Sequence, residues 1–257
     1  MIVSDDIAAF AGALADASRS VIKPYFRSRL AVEDKSDTSP VTIADREAET
    51  AMRRLIEQRY PAHGIVGEEH GVTRAEAEYV WVLDPIDGTK AFVMGKPTFV
   101  TLIGLTYRGR PVLGVVDQPI SSERWLGGNG RPSTHNGTPI RTQPCASLAD
   151  AKLNATSADM FRGANAQAFD RLKSRVKVTT YGGDGYGFAL IALGFIDLGV
   201  EAGLKYYDYC AIAPLVEAAG GVATDWQGRA LTAESDGRVC IAGDARVHRA
   251  AMEALAG

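Results

Sequence analysis

Apolar residues at the start of the chain recur with helical spacing. Ile7, Phe10, Leu14 and Val21 fall on one face, Ser4 stands where an N-cap belongs, and Pro24 marks the end. The polar stretch 33–40 reads as a loop. A second helix begins near Thr42 and carries Ala44, Ala48, Ala51, Met52, Leu55 and Ile56 at the same period. The pattern then shortens to strands at 65–67 and 80–83. Two longer runs, 99–107 and 111–117, flank Arg108-Gly109-Arg110 as a hairpin, and a further strand is expected at 124–126. The segment 128–138 reads as a loop. Beyond it the chain alternates, with strands expected at 151–156, 176–181, 195–200, 221–225 and 239–243. Helices are expected near 161–174, 185–193, 208–219 and 244–255. Antiparallel strands first and α/β alternation afterwards predict a layered α+β and α/β protein. With no repeat or low-complexity linker, residues 1–257 read as one unit of two halves, 1–135 and 136–257.

Composition narrows the function. At 46% apolar, 23% charged and net charge −3, the chain has ordinary globular character and no basic surface to offset nucleic-acid phosphates. No apolar run approaches a membrane span. Acidic residues stand where a signal peptide would be basic, so a cytoplasmic location is expected. Cys145, Cys210 and Cys240 are odd in number and widely separated, which argues against a disulfide framework or a zinc site. His63, His70, His135 and His248 lack a shared metal-binding spacing.

Carboxylates carry the remaining signal. In the string 80–92 an apolar strand runs into Asp84-Pro85-Ile86-Asp87-Gly88-Thr89. Pro85 restricts the backbone and Gly88 permits a tight turn, so Asp84, Asp87, the Thr89 hydroxyl and the Ile86 carbonyl can converge. Hard divalent cations take such oxygen sets. The bland alternative is an acidic surface turn. Glu68 and Glu69 likewise follow an apolar strand, and in isolation they read as solvated charge. Thr42 and Asp45 fit a capping box. Asp208 opens a helix, where a carboxylate can be a cap, a metal ligand or both.

Taken together, the strings at 40–45, 67–71, 81–89, 114–119 and 205–221 resemble the inositol monophosphatase family of lithium-sensitive, magnesium-dependent phosphatases. The resemblance spans almost the whole chain with the stations in family order. It implies a layered αβαβα sandwich of the sugar-phosphatase type and two or three magnesium ions. Glu68, Asp84, Asp87, Asp208 and the Ile86 carbonyl match the metal shell. Asp45 and Thr89 match the pair that orients the attacking water, with Glu68 assisting in catalysis. Gly88, Thr89, Asp184, Glu201 and Asp208 match substrate contacts. One departure is Tyr207, where the family usually has Trp. Lys90 and Asp184 make the chain most similar to the histidinol-phosphate phosphatase branch, which acts in histidine biosynthesis. The expected reaction is therefore hydrolysis of a small phosphorylated metabolite, L-histidinol phosphate, by a homodimer without nucleic-acid or membrane partners. The alternatives are an inositol 1-phosphate or broad small-monoester phosphatase, and a non-catalytic binding protein on the same fold.

Overall fold

The computed structural model describes residues 3–28, 32–34 and 40–257. Ser4 caps the helix Asp5–Ile22 by accepting the Ile7 N–H at 3.3 Å. The helix gives way to a 3₁₀ turn, Lys23–Tyr25, in which Pro24 occupies an early position where a missing N–H costs nothing. Its innermost face is Ala8, Ala11, Leu14, Ala15, Ser18 and Ile22, whereas Ile7, Phe10 and Val21 are only partly buried. The sequence face was thus rotated. Small alanines let the partner helix Ile43–Arg59 approach closely, and the larger side chains flank that seam.

Within the expected loop 33–40, residues 33, 34 and 40 belong to the short antiparallel ladder Val32–Asp34 with Pro40–Thr42. Residues 35–39 lie outside the described residues. The Thr42 side chain lies outside them too, and with it the capping-box reading.

Eight strands form the first sheet, in the order Thr138–Pro139, Arg131–His135, Glu123–Gly128, Arg110–Gln118, Val100–Tyr107, Tyr79–Asp87, Gly64–Gly67, Gly71–Thr73. Only Gly64–Gly67 and Tyr79–Asp87 pair in parallel; every other neighbouring pair is antiparallel. The second sheet runs Val178–Tyr181, Lys152–Ala155, Leu198–Glu201, Val239–Ala242, Val222–Asp225. Its first three strands are parallel and the last two pairings antiparallel.

Five layers result. Asp5–Ile22 and Ile43–Arg59 cover one face of the first sheet. Asp184–Ala192 and Ile212–Ala218 fill the space between the sheets, and Ala164–Lys173 with Ala245–Ala256 form the outer layer. One apolar cluster joins Val100, Leu102, Val116 and Trp125 to Phe188, Ile191, Ile212 and Leu215, and on to Val239 and Ile241. Burial on this scale stabilises by roughly 25 cal/mol per Å² of apolar surface, so the two sheets share one continuous core. Gly114 makes the seating possible, because a Cβ there would lie 1.7 Å from the Ala211 carbonyl oxygen. The chain around Ala211 therefore rests directly on the first sheet, which brings Asp208 to that sheet's end.

Three local expectations differ from the structure, and one strand was not anticipated. The loop expected at 128–138 contains the strands Arg131–His135 and Thr138–Pro139, polar because they lie at a sheet edge with only Ser133 fully buried. Gly71–Thr73 is a short edge strand with no alternating pattern to announce it. The strand expected at 195–200 runs Leu198–Glu201, after a turn at Gly194, whose φ is 82°. The helix expected at 208–219 is two helices, Tyr206–Tyr209 and Ile212–Ala218.

Candidate active site

The loop Asp84–Thr89 is built by a bulge. Asp84 pairs with Leu102 and Asp87 with Val100, so three residue steps on one strand face two on the other. In a regular strand Asp84 and Asp87 would point to opposite faces. The extra residue restores them to one side. Two contacts hold this irregular backbone. The buried Thr101 hydroxyl donates to the Pro85 carbonyl at 2.7 Å, and the Ile86 side chain is sealed among Ile22, Ala44, Phe92 and Phe99. Gly88 then turns the chain with φ 85°, and the Thr89 hydroxyl donates to the Ile86 carbonyl at 3.1 Å.

The second half of the chain locks onto this loop. The Gly185 N–H donates to Asp87 Oδ2 at 2.5 Å, and a Cβ on Gly185 would lie 2.7 Å from that same oxygen. Asp184, at φ 44°, packs against Gly88. Asp208 is the third residue of its helix and caps it from there, as the carboxylate of a capping box with Lys205. Its Oδ2 accepts the Lys205 N–H at 2.6 Å, which leaves the other oxygen available.

Asp84, Asp87 and Asp208 each offer an oxygen, and these atoms lie within 4.8 Å of one another. At that separation two full negative charges repel by roughly 3 kcal/mol at an effective dielectric of ~20. Burial pushes the Asp84 carboxyl well above the usual range, and Glu68, Asp87, Asp208 and Asp45 push it further. Asp87 is raised well above its usual value as well, first by burial and then by Asp184 and Asp208. Asp208 is pushed up to about 7 by burial, with Glu68 and Asp184 adding to it against the Lys205 N–H. One Asp84 oxygen is buried without any hydrogen-bond partner. Crowded carboxylates with an orphaned oxygen fit a hard divalent cation, which would hold them ionised together.

A cleft of about 80 Å³ adjoins the cluster, lined by Thr156, Met160, Asp184, Glu201, Leu204 and Asp208 among others. Glu201 ends its strand at 2% exposure, and both the Thr156 N–H (3.0 Å) and hydroxyl (2.6 Å) donate to its Oε1. Burial pushes Glu201 up to about 8. Asp184 is raised to about 6 by burial, opposed by the Thr156 hydroxyl and by the Lys90 and Lys96 charges.

The acids matched to site roles thus surround one region, with Glu69 outside those groupings. Asp84, Asp87 and Asp208 meet directly, while Glu68 and Asp45 act on Asp84 through space. Asp184 and Glu201 line the adjoining cleft. The Ile86 carbonyl already accepts the Thr89 hydroxyl, so a second lone pair would have to serve any cation. Thr156, Met160 and Lys96 were missed. Thr156 lies 45 residues from Glu201, and no local pattern links them. A roomier surface hollow of about 390 Å³ lies beside Asp16, Arg19 and Arg124, but its arginines are spent on Asp117 and Asp16.

These raised carboxyls predict a pH dependence of stability. Their folded values exceed the ordinary ~4 of an unfolded carboxyl, so the folded state binds the extra protons. Their contribution to stability is therefore fully present at low pH and is lost as pH rises through the folded values of about 7 and 8. Each such group costs about 1.4 kcal/mol per pH unit in that window. In chelator, Tm should fall by roughly 5–10 °C between pH 6 and pH 8.5, and added magnesium should recover most of the loss at the higher pH. A Tm that is flat or rising over this range without metal would contradict the crowding of these acids.

Three similarities bear on this geometry. Over 98% of its length the chain is 49% identical to the bifunctional phosphatase IMPL2, chloroplastic, of Arabidopsis thaliana, covering 75% of that protein. It is 31% identical to a histidinol-phosphatase of Chlorobaculum parvum, with 88% of each chain covered. Its fold superposes on a solved inositol monophosphatase from Zymomonas mobilis with a TM-score of 0.91, at 45% identity and 98% coverage of both chains. The profile of the inositol monophosphatase family matches residues 4–257, from the first helix through Asp208 to the last. This chain belongs to the inositol monophosphatase family.

Proposed function

We propose that the protein is a magnesium-dependent phosphatase that hydrolyses L-histidinol phosphate to L-histidinol and phosphate. Glu68, Asp84, Asp87 and Asp208 would hold the cation, with a lone pair of the Ile86 carbonyl. When bound, magnesium supplies positive charge against the phosphate dianion and acidifies water. The protein's own part is to orient that water through Thr89, Glu68 and Asp45, and to seat the phosphate beside Gly88 and Thr89. No side-chain nucleophile is needed.

The observation that carries the substrate is the pair Asp184 and Glu201 in the cleft beside the metal cluster. The leaving alcohol of histidinol phosphate bears an ammonium and an imidazole. A cationic alcohol favours a carboxylate-lined cleft, and its charge would offset the repulsion between the two acids. Inositol 1-phosphate is the second reading, favoured by the 45% identity to the Zymomonas protein and by the Thr156 hydroxyl as a possible partner for a sugar hydroxyl. A purely binding role is the weakest reading, because no metal carboxylate is missing. A cytoplasmic homodimer belongs to the same proposal, on the strength of the family resemblance.

Phosphate release from histidinol phosphate, inositol 1-phosphate and glycerol phosphate, with and without magnesium, tests this directly. Asp184→Asn sharpens the comparison by removing charge at constant size. A buried carboxylate–cation contact is worth about 2 kcal/mol. kcat/KM for histidinol phosphate should then drop roughly 30-fold, against a much smaller loss on glycerol phosphate. Equal losses on both substrates would remove the charge-recognition argument.

A further inference from the structure

We propose that Glu49 is a positioning residue for the metal site, clamping the turn that presents Glu68. The inference rests on the reading of Glu68 as a metal-site carboxylate. Glu49 lies four residues beyond Asp45 on the helix Ile43–Arg59, and both side chains are fully buried on one face of it. Asp45 faces the metal loop, where it acts on Asp84. Glu49 faces the other way along the helix, into the turn that follows the strand Gly64–Gly67. Its Oε2 accepts the Glu69 N–H at 2.8 Å, and its Oε1 accepts the His70 N–H at 3.2 Å.

Arg53, one turn further on, completes the clamp. Its Nε donates to Glu49 Oε1 at 2.6 Å, and its terminal nitrogens donate to the Gly71 carbonyl and to the Thr73 hydroxyl. One helix face thus takes the turn's N–H groups with a carboxylate and serves its carbonyl side with a guanidinium. Gly67 is needed for this approach, since a Cβ there would stand 2.0 Å from Glu49 Oε1.

The clamped N–H groups belong to the two residues directly after Glu68. The Glu68 N–H itself donates to the Leu83 carbonyl at 3.2 Å, one residue before Asp84. Glu68 is therefore pinned on both sides, by the neighbouring strand before it and by Glu49 after it. Fixing the backbone at both sides removes freedom that a cation would otherwise have to freeze on binding. Outer groups that orient metal ligands commonly set affinity by 10- to 100-fold.

Glu49→Gln keeps the shape of the side chain but turns an NH₂ toward one of the two backbone N–H groups and weakens the hold of Arg53. Magnesium binding is read by isothermal titration calorimetry on the purified full chain. The Kd should rise about tenfold or more in Glu49→Gln. Arg171→Gln serves as the comparison. It removes donors to the Ala254 and Leu255 carbonyls in the outer helix layer and should leave the magnesium Kd at the wild-type value. If Glu49→Gln does not fold, Glu49→Asp, which withdraws the carboxylate by one methylene, carries the same comparison. A Kd within about twofold of wild type in the Glu49 variant that folds would overturn the clamp. So would an equal shift in Arg171→Gln, which would show general loosening. Wild-type protein that binds no magnesium would instead sink the reading of the metal site, and the clamp with it.

Discussion

Asp87→Asn will silence phosphate release, with kcat lowered by roughly 10³-fold or more, while the protein remains folded. Metal-assisted displacement draws several kcal/mol from charge placed on the phosphate, and about 4 kcal/mol corresponds to that factor. The substitution is nearly isosteric, and the asparagine carbonyl can still accept the Gly185 N–H. The fold should thus survive. Stability gives an independent check. Asp87 is crowded by Asp184 and Asp208, so removing its charge relieves repulsion in metal-free protein. Tm in chelator at pH 8 should be equal to or higher than that of wild type, even as activity disappears. Loss of activity accompanied by a large fall in Tm would mean that the variant damaged the fold and says nothing of the metal. Near-normal turnover across a magnesium titration would take Asp87 out of the metal site.

The Asp87 result also marks what could be read from the chain alone. Asp84-Pro85-Ile86-Asp87-Gly88 announces a bend and two acids, because proline restricts the backbone and glycine permits a tight turn whatever surrounds them. It does not announce the bulge that turns both acids the same way, since a bulge exists only against the partner strand at Val100 and Leu102. Asp45 and Glu49 show the same limit. Their i, i+4 spacing is visible, but the turn that Glu49 holds arrives 20 residues later and is fixed by backbone N–H groups, which carry no sequence signal.

Edge elements hid for another reason. Arg131–His135 reads as a loop because a strand with one solvated side and a neighbour of only two residues has little apolar pattern to show. The split near Cys210 and Ala211 hid behind continuous apolar character. The break there follows from packing against Gly104 and Gly114 of the first sheet, a long-range demand that no helical period encodes. A layered α+β and α/β architecture was nevertheless legible, because local periodicity marks strands and helices and their alternation dictates layering; the five-layer order came from the family resemblance.

Thr89→Ala should cut kcat by about 10²-fold, within the range by which a positioned proton-handling group accelerates a reaction, and leave KM little changed. In the resting geometry the Thr89 hydroxyl donates a hydrogen bond to the Ile86 carbonyl at 3.1 Å. Its lone pairs are then turned outward and can accept from a water held beside Glu68 and the aspartates. The hydroxyl closes the Asp84–Thr89 loop, and in the proposed mechanism it also aims the water. Thr89→Ser separates these from the methyl group, since serine can make the same donation and should recover most of the lost turnover. Because Ala removes the loop-closing bond as well, magnesium Kd must be measured alongside kcat. An unchanged Kd with a fallen kcat assigns the loss to the water. A raised Kd with kcat intact at saturating magnesium would make Thr89 a support for the Ile86 carbonyl. A raised KM with intact kcat, in alanine and not in serine, would make it a residue that holds the phosphate. Either of the last two outcomes would remove Thr89 from the chemical step and leave Glu68 and Asp45 as the groups that orient the nucleophile.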